Sequence, residues 1–150
     1  MLTAVAAALL VLLVHAVTLT YFMGTGRWLE ETCAAYNLGN EPRAENIRLK
    51  YRVIPGMMAC IVLVVLTGAF GAMADTAANA SRPSAAGIHL GFALTTLLAN
   101  LLVSWIEQRA IVQNGVVVDN VVGRVAEIRR ERGLDQPADV DAGSSASRDY

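Results

Sequence analysis

Three long stretches of this chain carry no Asp, Glu, Lys or Arg: Leu2–Met23, Val53–Ala74 and Pro83–Ile106, each 22 to 24 residues long. At ~1.5 Å rise per residue a helix of that length reaches ~33 Å, enough to cross the ~30 Å hydrocarbon core of a bilayer. A soluble fold rarely holds three helices that are apolar on every face. The pattern predicts an all-α integral membrane protein with three transmembrane helices in a bundle, one domain over residues 1–132. Charged residues are only 17% of the chain and are confined to the segments between and after the stretches. The first stretch reads as a retained helix and not a cleaved leader. No Lys or Arg precedes it, and its apolar run exceeds the ~7–15 residues of a signal-peptide core.

Basic residues set the expected orientation. Arg27, Arg43, Arg48, Lys50 and Arg52 lie between the first two stretches, and only Arg82 between the second and third. Arg109, Arg124, Arg129, Arg130, Arg132 and Arg148 follow the third. This predicts a multi-pass protein of a bacterial inner membrane, with the N-terminus outside and the C-terminus cytoplasmic. Trp28 and Trp105 then fall at the cytoplasmic boundary, where aromatic belts form. No nucleic-acid partner is expected, and the net charge of −1 carries no information about partners. Membrane lipid is one expected partner, and a homodimer or a larger membrane complex another.

Between the spans, Gly24-Thr25-Gly26 reads as a loosening of the first helix. Helix then resumes through Arg27–Asn37 and stops at Leu38-Gly39-Asn40. Glu41–Lys50 is a charged connector, helical from Arg43. Pro55 falls in the first turns of span two, where a missing N–H matters least. Asp75–Ser84 is an outer loop. Beyond Ile106 the 3–4 spacing of Val118, Val121, Val125 and Ile128 predicts a cytoplasmic amphipathic helix packed on the same protein or on a dimer partner. Residues 133–150 lack periodicity and read as a disordered tail. Cys33 and Cys60 fall on different levels and are expected to be packing residues, not a disulfide or metal pair.

Chemistry concentrates on the two histidines. An ionisable group inside a spanning helix is costly and by default marks a functional site. His15 shares a helix face with Thr18, Phe22 and Thr25. His89 shares one with Thr96, Asn100 and Glu107, at spacings of seven, four and seven. Polar faces turn away from lipid, so the two histidine faces are expected to meet. Gly87 and Gly91 flank His89 as a GxxxG pair, which favours close helix packing. The imidazoles admit three readings: axial haem ligands, proton carriers, or hydrogen-bonded structural residues. No P-loop, dinucleotide turn, HExxH or zinc cluster accompanies them.

The layout resembles the small bacterial membrane protoporphyrinogen oxidases and the related copper-resistance D-type membrane domains. The resemblance rests on His15 leading into Tyr21-Phe22-Met23-Gly24-Thr25-Gly26-Arg27-Trp28. It continues in Arg48-Leu49-Lys50-Tyr51-Arg52 running into Pro55-Gly56-Met57-Met58, and in Ile88-His89-Leu90-Gly91. It covers roughly residues 8 to 109, without the fourth spanning helix of that group. It implies a haem-associated bundle with His15 first and His89 second in importance. Arg27, Lys50 and Arg52 would be partners for propionates or substrate carboxylates.

These strands combine into one expectation: a b-type haem protein with a redox or electron-transfer role, haem b held by His15 and His89 as iron ligands. Arg27, Arg52, Tyr21 and Asn100 would complete the cofactor site. The alternatives are a cofactor-free accessory or scaffolding subunit of a membrane complex, a protoporphyrinogen oxidase-like enzyme and, last, copper handling by His and Met.

Overall fold

The computed structural model describes residues 2–76 and 83–134, all but the turns in three helices: α1 (Leu2–Tyr36), α2 (Glu41–Thr76) and α3 (Pro83–Glu131). All three are long and apolar enough to cross a membrane. Of the expected loop Asp75–Ser84, the first two residues belong to α2 and the last two to α3, and residues 77–82, like the tail from 135, lie outside the described residues.

Each helix is longer than its uncharged stretch. At ~1.5 Å per residue, the 49 residues of α3 extend ~73 Å, more than twice the hydrocarbon core. The C-terminal amphipathic segment is therefore not a separate element. It is the last half of α3, which continues unbroken past Trp105. Similarly, α1 does not loosen at Gly24-Thr25-Gly26. Thr25 donates to the Tyr21 carbonyl at 2.8 Å, and helix continues to Tyr36. Glu41–Lys50 is helical from its first residue, which places Pro55 inside α2 and not in an opening turn. The cost is one missing i→i−4 bond, to the Tyr51 carbonyl.

Where helices do end, they end on chemistry. Asn37 (φ 56°) and Gly39 (φ 83°) take left-handed conformations after α1, and Leu38 N–H donates back to the Cys33 carbonyl at 3.0 Å. Gly133 (φ 67°) does the same after α3, with Leu134 N–H donating to the Arg129 carbonyl at 2.9 Å. Both are Schellman closures, which satisfy carbonyls that a helix end leaves orphaned. Arg129 and Arg130 in the last turn of α3 complement its dipole.

The inward residues recur at threes and fours on all three helices. On α1 they are His15, Thr18, Phe22, Thr25 and Leu29; on α2, Asn46, Leu49, Val53, Met57 and Cys60. On α3 the run is Thr96, Asn100, Val103, Glu107, Ala110, Asn114, Val117 and Val121. This is the repeat that lets long helices stay in contact along their length. Two apolar clusters fill it: Phe22, Leu49, Val53, Met57 and Ala110, then Leu29, Cys33 and Val121. Leu38, Val117, Val118 and Val125 close over the second. The valine stripe thus packs on its own chain. Both cysteines are buried and unbridged.

One glycine sets how closely α1 and α2 approach. A Cβ on Gly26 would stand 2.5 Å from Asn46 Oδ1, whereas one on Gly24 would meet nothing within 4 Å. Asn46 cannot swing aside without giving up its bonds to Thr25 and Asn114. Gly26→Ala is expected to lower stability in detergent by ~1–3 kcal/mol. Gly24→Ala should be neutral or stabilise by up to ~1 kcal/mol through helix propensity. Unfolding curves for the two variants check the contrast.

Candidate functional site

His15 is clasped between two α3 side chains. Its Nδ1 lies 2.7 Å from Glu107 Oε1 and its Nε2 lies 3.2 Å from Asn100 Oδ1. His15 and Glu107 are each only 2% exposed. Asn100 donates its Nδ2 to the Thr96 carbonyl at 2.8 Å, which turns Oδ1 toward the imidazole. An oxygen there requires Nε2 of His15 to carry a proton. The second proton lies between Nδ1 and Oε1. The pair is therefore either imidazolium with carboxylate or imidazole with carboxylic acid, and each form satisfies both groups. The other carboxyl oxygen, Oε2, is 3.3 Å from Thr18 Oγ1, which also donates to the Val14 carbonyl at 3.0 Å. Both nitrogens and both oxygens are thus engaged within the protein.

Two further polar layers flank this one. On one side Thr67 and Thr96 join α2 to α3 at 2.7 Å, and Thr96 also reaches the Leu63 carbonyl at 3.3 Å. On the other side all three helices contribute. Asn46 Nδ2 donates to Asn114 Oδ1 at 2.7 Å and to Thr25 Oγ1 at 3.1 Å. Asn114 Nδ2 in turn donates to the Tyr21 hydroxyl and to Thr25 Oγ1, both at 3.1 Å. Asn46 and Asn114 are fully or almost fully buried.

The expected meeting of histidine faces is half realised. The His15 face does meet the Asn100–Glu107 face of α3, but His89 belongs elsewhere. It is half-buried and packs on α2 at Gly71, where a Cβ would come within 2.9 Å of its Cε1. Its Nδ1 is buried with no hydrogen-bond partner among the described residues. Asn100 lies eleven residues beyond His89 on the same helix, ~16 Å along the axis. Two axial nitrogens on one iron stand only ~4 Å apart, the sum of two ~2 Å metal–imidazole bonds. One porphyrin ligated by both His15 and His89 does not fit this arrangement.

The remaining expected cofactor residues are also dispersed. Arg27 is exposed and paired with Glu31 at 2.8 Å on its own helix. Arg52 is exposed on α2. Tyr21 accepts from Asn114, and Asn100 accepts from His15. These side chains assemble no propionate cradle around His15. Among the described residues no cluster of three or more His, Cys, Asp or Glu has metal-holding geometry.

Asn46, Asn114 and Thr67 were absent from the sequence expectation. The signal for Asn114 was available. Asn100, Glu107 and Asn114 are spaced by sevens, so Asn114 extends by one step the polar stripe that ends at Glu107 in the sequence reading. Asn46 sits in a charged segment, where one more polar residue stands out from nothing. Comparison with protein-family models, curated proteins and solved structures found no match.

Removing one member of a buried pair strands the other, at ~3–5 kcal/mol, while a neutral interhelical hydrogen bond in a membrane is worth ~0.6 kcal/mol on average. His15→Ala and Glu107→Ala should therefore each destabilise several times more than Thr67→Val. In the double variant the losses should fall well short of additive, which a double-mutant cycle on detergent unfolding measures. Additive losses would show that the two side chains do not act as a unit.

Proposed function

We propose that this chain is a cofactor-free accessory or scaffolding subunit of a membrane complex, its helices held in one register by buried polar layers. The observation that carries the reading is the complete internal engagement of His15 and Glu107, which leaves the most reactive buried groups occupied by each other. A second feature supports the word subunit. Val112, Val116 and Val122 are at least half exposed on the part of α3 that continues beyond Trp105. Lipid accounts for the exposed leucines of the spans, but not for apolar side chains past the membrane boundary.

The topology belongs to the same proposal: a bacterial inner-membrane protein with its N-terminus outside and the α1–α2 hairpin and C-terminal half of α3 in the cytoplasm. The basic-residue asymmetry supports it. So does Arg109, whose guanidinium lies 3.9 Å over the Trp105 ring, an arrangement suited to a membrane–water boundary.

Native mass spectrometry of protein gently extracted from its own membrane tests the reading. The expected species is heavier than the 16.0 kDa chain by a fixed partner mass. Val112→Glu with Val116→Glu should release the partner while the unfolding midpoint is unchanged. A monomer in mild detergent and in cross-linked membranes would overturn it. So would a reduced-minus-oxidised haem spectrum that is lost in both His15→Ala and His89→Ala.

The 2.7 Å contact between His15 and Glu107 favours one other reading, proton exchange at the pair. In that case the His15 ring ¹⁵N spectrum would show two exchanging forms at Nδ1. A single fixed form would reject it.

A further inference from the structure

We propose that the groove between α1 and α2 binds the phosphodiester headgroup of an anionic phospholipid. The groove holds about 660 Å³, and its lining includes Met23, Arg27, Glu30, Arg43, Asn46 and Lys50, with no residue of α3. Its position is set by the sequence. Met23 is the last residue of the first uncharged stretch, and Lys50 stands three residues before the second begins. One end of the groove thus lies in hydrocarbon and the other in water, the depth at which lipid phosphates sit.

The charges of the groove are unevenly matched. Arg27 pairs with Glu31 at 2.8 Å, and Arg43 bridges from α2 to Glu30 of α1 at 3.0 Å. Lys50 lines the same groove, and none of the ion pairs among the described residues includes it. Its ammonium lies 5.3 Å from the centre of the Tyr51 ring, a contact that leaves its hydrogen-bond donors unspent. A half-buried lysine at the edge of the hydrocarbon extends its apolar stem along the helix and holds its charge at headgroup level. A phosphodiester bridging Lys50 and the outer face of Arg27 would supply the missing anion. The glycerol backbone and acyl chains would then pass over Met23 and Met58, which are 61% and 55% exposed. Gly26 deepens the groove because it presents no side chain over Asn46.

The test uses the full chain, purified, stripped of lipid and returned to nanodiscs of phosphatidylcholine with or without phosphatidylglycerol. Native mass spectrometry after release counts the lipid that stays bound. The wild type should retain phosphatidylglycerol over phosphatidylcholine by at least about fivefold, the contribution of one basic side chain at an anionic surface. Lys50→Gln, which breaks no ion pair, should abolish that preference. Arg27→Gln, whose carboxylate partner is on the same helix, should weaken it as a second variant. Arg124→Gln, exposed on α3, should leave it intact. Retained preference in both groove variants would overturn the proposal. Displacement of the lipid by inorganic phosphate alone would also overturn it, assigning the groove to a free anion.

Discussion

An imidazole and a carboxylate buried side by side between two membrane helices tolerate very little displacement. Outside hydrogen-bond range each is a polar group in a medium that solvates neither, and the penalty is several kcal/mol. His15 and Glu107 avoid it only when α1 and α3 are aligned so that Asn100 meets one edge of the ring and Glu107 the other. Apolar residues could not impose this. Leucines slide past leucines in lipid at small cost, because the tails are as apolar as the side chains. The polar pair therefore sets the helix register, and the apolar contacts follow from it.

The same logic repeats at two other levels with different helices. Thr67 and Thr96 join α2 to α3, while Asn46 and Asn114, with Thr25 and Tyr21, bind all three helices. A single polar layer fixes the height of one helix against another but leaves rotation free. Layers at different heights fix both. The Phe22–Met57 cluster lies between the His15 and Asn46–Asn114 layers and the Leu29–Val121 cluster beyond the latter; both exclude water and so raise the cost of breaking the layers beside them. His89 stands apart from this scheme. Its Nδ1 has no hydrogen-bond partner among the described residues, and its ring fills the space that Gly71 of α2 leaves.

What the chain disclosed in advance follows from how far each kind of signal reaches. Three uncharged stretches announce three spanning helices because hydrocarbon admits little else. The inward faces of His15 and of Asn100–Glu107 were legible because helical periodicity is local. Which faces meet is a relation between distant segments. Two histidines on two inward faces suggested a shared ligand, whereas the partner of His15 proved to be a glutamate placed where the uncharged stretch ends. The sequence places Glu107 on the inward polar face with His89, although charge marks membrane boundaries on average. Charge paired inward is the exception. Element ends were misjudged for a related reason. Gly24-Thr25-Gly26 reads as a loosening and Pro55 as part of an opening turn, yet α1 and α2 run continuously through Gly24, Gly26 and Pro55.

In the proposed topology the length of α3 separates two solvents along one helix. From Ala86 to about Trp105 the outward side chains would meet lipid, so exposed leucines there are ordinary. Beyond Trp105 the same helix continues for 26 residues, ~39 Å, with only the α1–α2 hairpin to cover it. The hairpin covers one face, through Leu29, Cys33 and Leu38 against Val117, Val121 and Val125. The opposite face keeps Val112, Val116 and Val122 exposed. If the helix existed only to complete the internal bundle, polar residues would serve better on that face, as Gln113, Asn120 and Arg124 do beside it. Valine has poor helix propensity and gains stability only when buried. Its recurrence on the uncovered side of a long, well-capped helix is the feature that supports the proposed protein partner on that face.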